Sequence, residues 1–164
     1  MEGWGMNKIL IAIDGSDNSL KATDYVARQL SGTAGLQVTL FHVLPYVPAV
    51  FWDDGHILSK EEREARKKVV DKWLTNRQSV IEPVFEKAIA LLLAHGIKTE
   101  QIETKIKSDS IDVAGSILEE AHDGRYHTLV MGRRGISPAK QMLMGSVTTG
   151  VINHGTGMAI CIVE

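Results

Sequence analysis

The residue types best suited to chemistry in this chain lie between positions 131 and 148, MGRRGISPAKQMLMGSVT. Gly132 and Gly135 follow an apolar run, nine residues intervene, and Gly145-Ser146 then open a segment with helical spacing. Glycines in that pattern let a backbone turn sharply or approach phosphate oxygens, and free amides at a helix N-terminus attract anions. Gly145, Ser146, Val147 and Thr148 supply such amides, and Ser146 and Thr148 add hydroxyl donors. Arg133, Arg134 and Lys140 either neutralise phosphate charge or form a solvated basic loop. Each glycine alone has an explanation as turn geometry, but their joint spacing at a strand end and a helix start favours a phosphate cradle. The spacing is neither the GxxxxGK[ST] loop nor the GxGxxG dinucleotide fingerprint. No Glu, Asp or His falls between Gly132 and Thr148. The stretch therefore carries no group to position an attacking water, and rapid turnover is not expected of it.

Other reactive residue types offer less. Asp14 closes the apolar run KILIAID, residues 8 to 14, where it either caps the helix that starts near Ser16 or contacts a ligand. The six histidines form no HExxH or i, i+4 pair, which argues against zinc, and His42 and His127 read as strand residues. Cys161 is the single cysteine, so neither a disulfide framework nor a CxxC site exists, and within MAICIV it reads as a small buried apolar side chain. Eighteen Lys and Arg stand against 20 Asp and Glu, a net charge of −2, without the positive excess of a dedicated nucleic-acid binder. Nine aromatic residues give little material for base stacking. The N-terminus lacks a signal-peptide pattern and no stretch reaches the ~18 apolar residues of a membrane span. A cytoplasmic protein with one domain over residues 1 to 164 is the expectation.

The elements that must position these residues alternate. Residues 8 to 14 read as a strand buried on both faces, and residues 18 to 31 as a helix with Leu20, Thr23, Ala27 and Leu30 on one side. QVTLFHV, residues 37 to 43, is a second strand running into Pro45. Residues 46 to 58 show neither period and read as a mobile or partner-contacting excursion. Ser59 and Glu62 have capping-box spacing and open a charged helix whose apolar seam is Ala65, Val69 and Trp73. Its charge run reads as a solvated face. Pro83 is expected to break or kink this helix or to start a second one, and the helical stretch ends near Gly96. QIETKIK, residues 101 to 107, alternates like a strand near a sheet edge. Residues 108 to 110 then cap a helix bearing Val113, Ile117 and Ala121, HTLVM at 127 to 131 forms a strand, and a helix at 146 to 154 and a strand at 158 to 163 complete the chain. Such alternation predicts an α/β fold with a parallel sheet covered on both faces.

On the GxxG, nine residues, G[ST] motif after the fourth strand, the chain resembles the nucleotide-binding branch of the universal stress protein family, over nearly its whole length. The resemblance implies a three-layer α/β/α fold, adenine nucleotide alpha hydrolase-like, with a five-stranded parallel sheet in the order 3-2-1-4-5. It places ATP at the carboxyl ends of strands one and four, a topological switch point. It further implies that Ala12, Ile13 and Asp14 line the adenine and ribose side and that Val43 holds the adenine through its backbone. Met131 and Gly132 then face the ribose, while Arg134, Gly135, Gly145, Ser146, Val147 and Thr148 surround phosphates bridged by Mg²⁺. The pair Arg133-Arg134 between the first two glycines departs from the family pattern. So does Gly157-Met158, where many members carry a proline before the last strand, the strand through which members pair into homodimers.

These observations point to an ATP-binding stress-response sensor or signalling protein with an unidentified protein partner. Two other readings stand beside it. One is a slow ATPase or autophosphorylating enzyme using the same pocket, weakened by the missing base. The other is an interaction module whose pocket is vestigial or takes AMP or a dinucleotide, weakened by the intact glycine spacing.

Overall fold

The computed structural model describes residues 7–45, 59–136 and 144–164. Its first strand, β1 (Asn7–Ala12), is followed by helix α1 (Asp17–Leu30) and strand β2 (Leu36–Pro45). A long helix α2 (Lys60–Ala94), strand β3 (Ile102–Ser110), helix α3 (Val113–Asp123) and strand β4 (Thr128–Gly132) come next. Helix α4 (Ser146–His154) and strand β5 (Ala159–Val163) close the chain. The five strands are all parallel and lie in the order β3-β2-β1-β4-β5. This is the expected fold class and sheet order.

Strand alternation divides the core. Ile9, Ile11 and Ile13 point to the face covered by α1 and α2, where they meet Ala22, Val26, Ile81 and Phe85. Leu10, Phe41, Val43, Leu129 and Met131 point to the opposite face, against Ile117 and Ala121 of α3 and Val151 of α4. Because both faces are covered, β1 is apolar from Ile9 to Ala12. Leu10 and Ile11 are fully buried, each contributing on the order of 1.5–3 kcal/mol from transfer out of water. Crossovers on opposite faces flank β1, so the chain parts beyond its carboxyl end and beyond that of β4.

Several expectations need correction. Residues 59 to 95 do not break at Pro83: α2 runs through it as one helix of 35 residues. Proline removes one intrahelical hydrogen bond there, but Ile81, Phe85, Ala88 and Leu92 anchor the turns on both sides to the sheet. Ser59 and Glu62 do form the reciprocal capping box, at 2.8 and 3.2 Å. The seam of α2 differs from the expected one. Ala65 is exposed and Val69 is 50% exposed, whereas Val70 is the buried position. β3 extends to Ser110, so residues 108 to 110 do not cap α3; Asp112 does, accepting from the Gly115 amide at 3.0 Å. Ser110 instead pairs its hydroxyl with that of Ser116 inside the protein. Cys161 is half-buried rather than buried, because β5 is an edge strand. The excursion at 46 to 58, with Trp52, lies outside the described residues, as does Lys140.

Candidate functional site

The sequence at the end of β1 builds one wall. Ile13 still follows the sheet, its amide bonding the Phe41 carbonyl at 2.8 Å, and the chain then turns at Asp14. Asp14 Oδ1 accepts from the Ser16 amide at 2.9 Å and from the Ser16 hydroxyl at 2.6 Å. Ser16 in turn caps α1, its Oγ accepting from the Ser19 amide at 3.2 Å. Asp14 thus supports the helix start and also lines the adjoining cavity.

The opposite wall comes from the glycine loop. Gly132, the last residue of β4, lies so close to α1 that a Cβ on it would stand 2.6 Å from Asn18 Cβ. Asn18 also donates its side-chain amide to the Arg134 carbonyl at 3.3 Å, fastening the loop to α1. The Gly145 amide closes the loop on the Arg133 carbonyl at 3.0 Å. Gly145 is the N-cap of α4 and contributes no side chain there, which leaves the first-turn amides without a side-chain cap. Those amides and the exposed Ser146 hydroxyl face open space.

Between the walls is a cavity of about 520 Å³. Ala12, Ile13, Asp14, Val43, Met131, Gly132, Arg134, Gly135, Gly145, Ser146, Val147 and Thr148 all line it. Two of the expected donors are already engaged. The Thr148 hydroxyl is buried and donates to the Gly132 carbonyl at 3.1 Å, and the Gly145 amide is held by Arg133. Arg133 does not line the cavity: its guanidinium pairs with Glu164 and its amide donates to Val163 at 2.7 Å. Alternation along the chain leaving β4 sends it toward β5. Arg134 does line the cavity, and its buried Nε has no partner among the described residues.

The cavity is polar at one end and apolar at the other. Asp14, Ser16, Arg134 and the start of α4 make the polar end, while Val43, Leu44, Val80, Ile81 and Val84 make the apolar one. Asp14 is the only carboxylate among the described lining residues, and among the described residues no group of three or more His, Cys, Asp or Glu is arranged to hold a metal.

The sequence reading missed two contributions. Arg77, Val80, Ile81 and Val84 of α2 form a wall, legible in their i, i+3, i+4, i+7 spacing. His42 also lines the cavity, its Nδ1 donating to the Ile13 carbonyl at 2.6 Å. Burial lowers the His42 pKa and so favours the neutral ring, opposed by that hydrogen bond and by the charge of Asp14. A titratable side chain near the carboxyl end of β2, between Phe41 and Val43, was the available signal.

Comparison with known proteins gives this geometry a family. The family model described as universal stress protein family matches residues 5–162. The chain belongs to that family. Universal stress protein YxiE of Bacillus subtilis (strain 168) is 30% identical over 163 residues, covering 92% of this chain and 94% of its own. Among solved structures, the hypothetical protein MJ0577 superposes with a TM-score of 0.73 at 21% identity, over 97% of this chain and 96% of that one. A universal stress protein solved in complex with cAMP superposes with a TM-score of 0.65 at 19% identity, over 98% of both chains. At those identities the two structures establish the universal stress protein fold, the adenine nucleotide alpha hydrolase-like arrangement.

Proposed function

We propose that this chain is an ATP-binding universal stress protein that senses or signals nucleotide state and does not turn ATP over rapidly. One observation carries the reading. One cavity joins an apolar end suited to a flat base with a polar end where the α4 amides lack a side-chain cap and the Arg134 Nε lacks a partner among the described residues, a donor set suited to an anion. The base lies between Val43, Ile13 and the α2 wall, Asp14 takes a ribose hydroxyl, and the phosphates sit on Arg134, Gly135, Ser146 and Val147. The donor set suits phosphate oxygens, and Mg²⁺ is carried by the phosphates, since the lining offers one carboxylate and no ligand cluster among the described residues. That a relative of the same fold was solved with cAMP makes adenine monophosphates the natural comparison ligands.

The slow-enzyme reading is weaker because Asp14 Oδ1 is held by Ser16 and, among the described residues, no other carboxylate lines the cavity to act as a base. A homodimer through β5 fits an edge strand whose Ile160, Cys161, Ile162 and Val163 are only half-covered. Isothermal titration of nucleotide-stripped protein with Mg-ATP, ADP and AMP tests the reading. Saturable binding of one ATP per chain, tighter than AMP, is expected. No heat of binding for any of the three would return the glycines to turn geometry and favour the interaction module.

A further inference from the structure

His42 is the one imidazole among the described residues lining the cavity, and its two ring nitrogens have different surroundings. Nδ1 donates to the Ile13 carbonyl at 2.6 Å, so in the neutral ring Nε2 carries the lone pair. Among the described residues Nε2 has no protein partner. His42 lines the cavity together with Val43 and Leu44 of β2 and Val80, Ile81 and Val84 of α2. Apolar side chains there give a ligand no other side-chain acceptor.

We propose that His42 determines base specificity in this cavity: its Nε2 lone pair accepts a hydrogen bond from the exocyclic amino group of an adenine. The proposal rests on the nucleotide reading above and adds a residue and a rule of discrimination to it. A hypoxanthine base carries a carbonyl at the same position, so two acceptors would face each other across the contact, and buried acceptors left unpaired are strongly disfavoured. Protonating His42 turns Nε2 into a donor. The preference then shrinks or inverts, because an N–H matches the carbonyl and opposes the amino group.

The charged groups around His42 do not duplicate this behaviour. Asp14 at the end of β1, Arg77 on α2 and Arg134 after β4 line the same cavity. Lys105 and Lys107 of β3 lie on the other side of the sheet, paired with Glu120 and Glu119 of α3. The two arginines present donors only, and Asp14 Oδ1 is occupied by the Ser16 amide and hydroxyl.

The test is calorimetric titration with AMP and IMP at about pH 8 and at a pH below the midpoint that an NMR titration of the His42 ring gives, on the natural chain and on His42→Asn. The asparagine amide stands near the position of Nδ1 and keeps a donor for Ile13, while nothing remains at Nε2. The natural chain is expected to prefer AMP by about tenfold at the higher pH and to lose most of that preference at the lower one. Titration of the ligand phosphates cancels in the AMP to IMP ratio. His42→Asn is expected to show a ratio near one that does not move with pH. Binding of both nucleotides with a ratio unaffected by pH or by the substitution overturns the role of His42 and leaves the nucleotide reading intact. Failure of both ligands, and of Mg-ATP, to bind at either pH removes the nucleotide reading and the proposal with it. Long-range ¹H–¹⁵N spectra of the ligand-free protein supply a separate readout: a neutral ring with its proton on Nε2 would overturn the proposal without any nucleotide present.

Discussion

A Cβ placed on Gly135 would stand 2.4 Å from Oδ2 of Asp14. The loop after β4 thus closes onto the turn after β1 only because position 135 has no side chain, and two walls of the cavity meet at that contact. Gly135→Ala is expected to rotate Asp14 away from Ser16, weaken the start of α1 and lower stability by about 1 kcal/mol. Nucleotide affinity should fall about tenfold, by the loss of one contact's worth of free energy. Gly145→Ala is the control, since its nearest neighbour would be at 3.5 Å, an ordinary contact with Arg134 Cα. Its stability should stay within about 0.5 kcal/mol of the natural chain while affinity drops, because the space above it is where a phosphate belongs. Urea denaturation and calorimetry on the pair check this; equal destabilisation by both would show that Gly145 is held by protein packing.

Ser146 and Thr148, alike in the sequence, have different duties. The Thr148 hydroxyl is buried on the Gly132 carbonyl, so Thr148→Val should cost about 1–3 kcal/mol of stability and leave an acceptor unpaired. Ser146 is exposed at the first turn of α4. Ser146→Ala should leave the unfolding midpoint unchanged and weaken ATP several-fold. The opposite assignment of effects in denaturation and titration would make Thr148 the ligand contact.

The contrast shows what the sequence could and could not convey. Apolar runs such as KILIAID and HTLVM announce strands because a parallel sheet covered on both faces needs them, and the glycine spacing locates the loop. Local spacing does not say which of two hydroxyls turns inward, since that depends on where α4 sits over β4. Spacing alone likewise did not separate Arg133 from Arg134; the family resemblance set Arg134 at the phosphates, and the fold pairs Arg133 with Glu164 just beyond β5. Pro83 and the end of β3 were misread because each is decided by packing on the sheet, which outweighs a residue's intrinsic preference. His42 was passed over because its chemistry arises from a carbonyl on the neighbouring strand.

His42 also ties stability to pH. Burial places its pKa in the folded protein below the unfolded value of about 6.5, so between the two the unfolded chain binds more protons. The contribution of the neutral ring is complete above about pH 6.5 and is lost as pH falls through the lower folded value. Measured against pH, the stability difference between the natural chain and His42→Asn should narrow as the solution is acidified. A difference that widens toward acid would mean that the native state favours the charged ring.

Pro83 offers the last test, because it lies in the helical wall of the cavity between Ile81 and Val84 and is itself exposed. Its ring removes a backbone donor in the middle of α2, and an exposed alanine would restore it. If the long helix is held straight against this cost by Phe85, Ala88 and Leu92, then Pro83→Ala should raise stability, by up to about 3 kcal/mol. Val80, Ile81 and Val84 would keep their places, so affinity for adenine nucleotides should change less than twofold. If instead the proline sets the pitch at which those side chains meet the base, stability will rise while affinity falls. Thermal unfolding and calorimetry on the same variant separate the two, since helix propensity acts on the first measurement and wall geometry on the second.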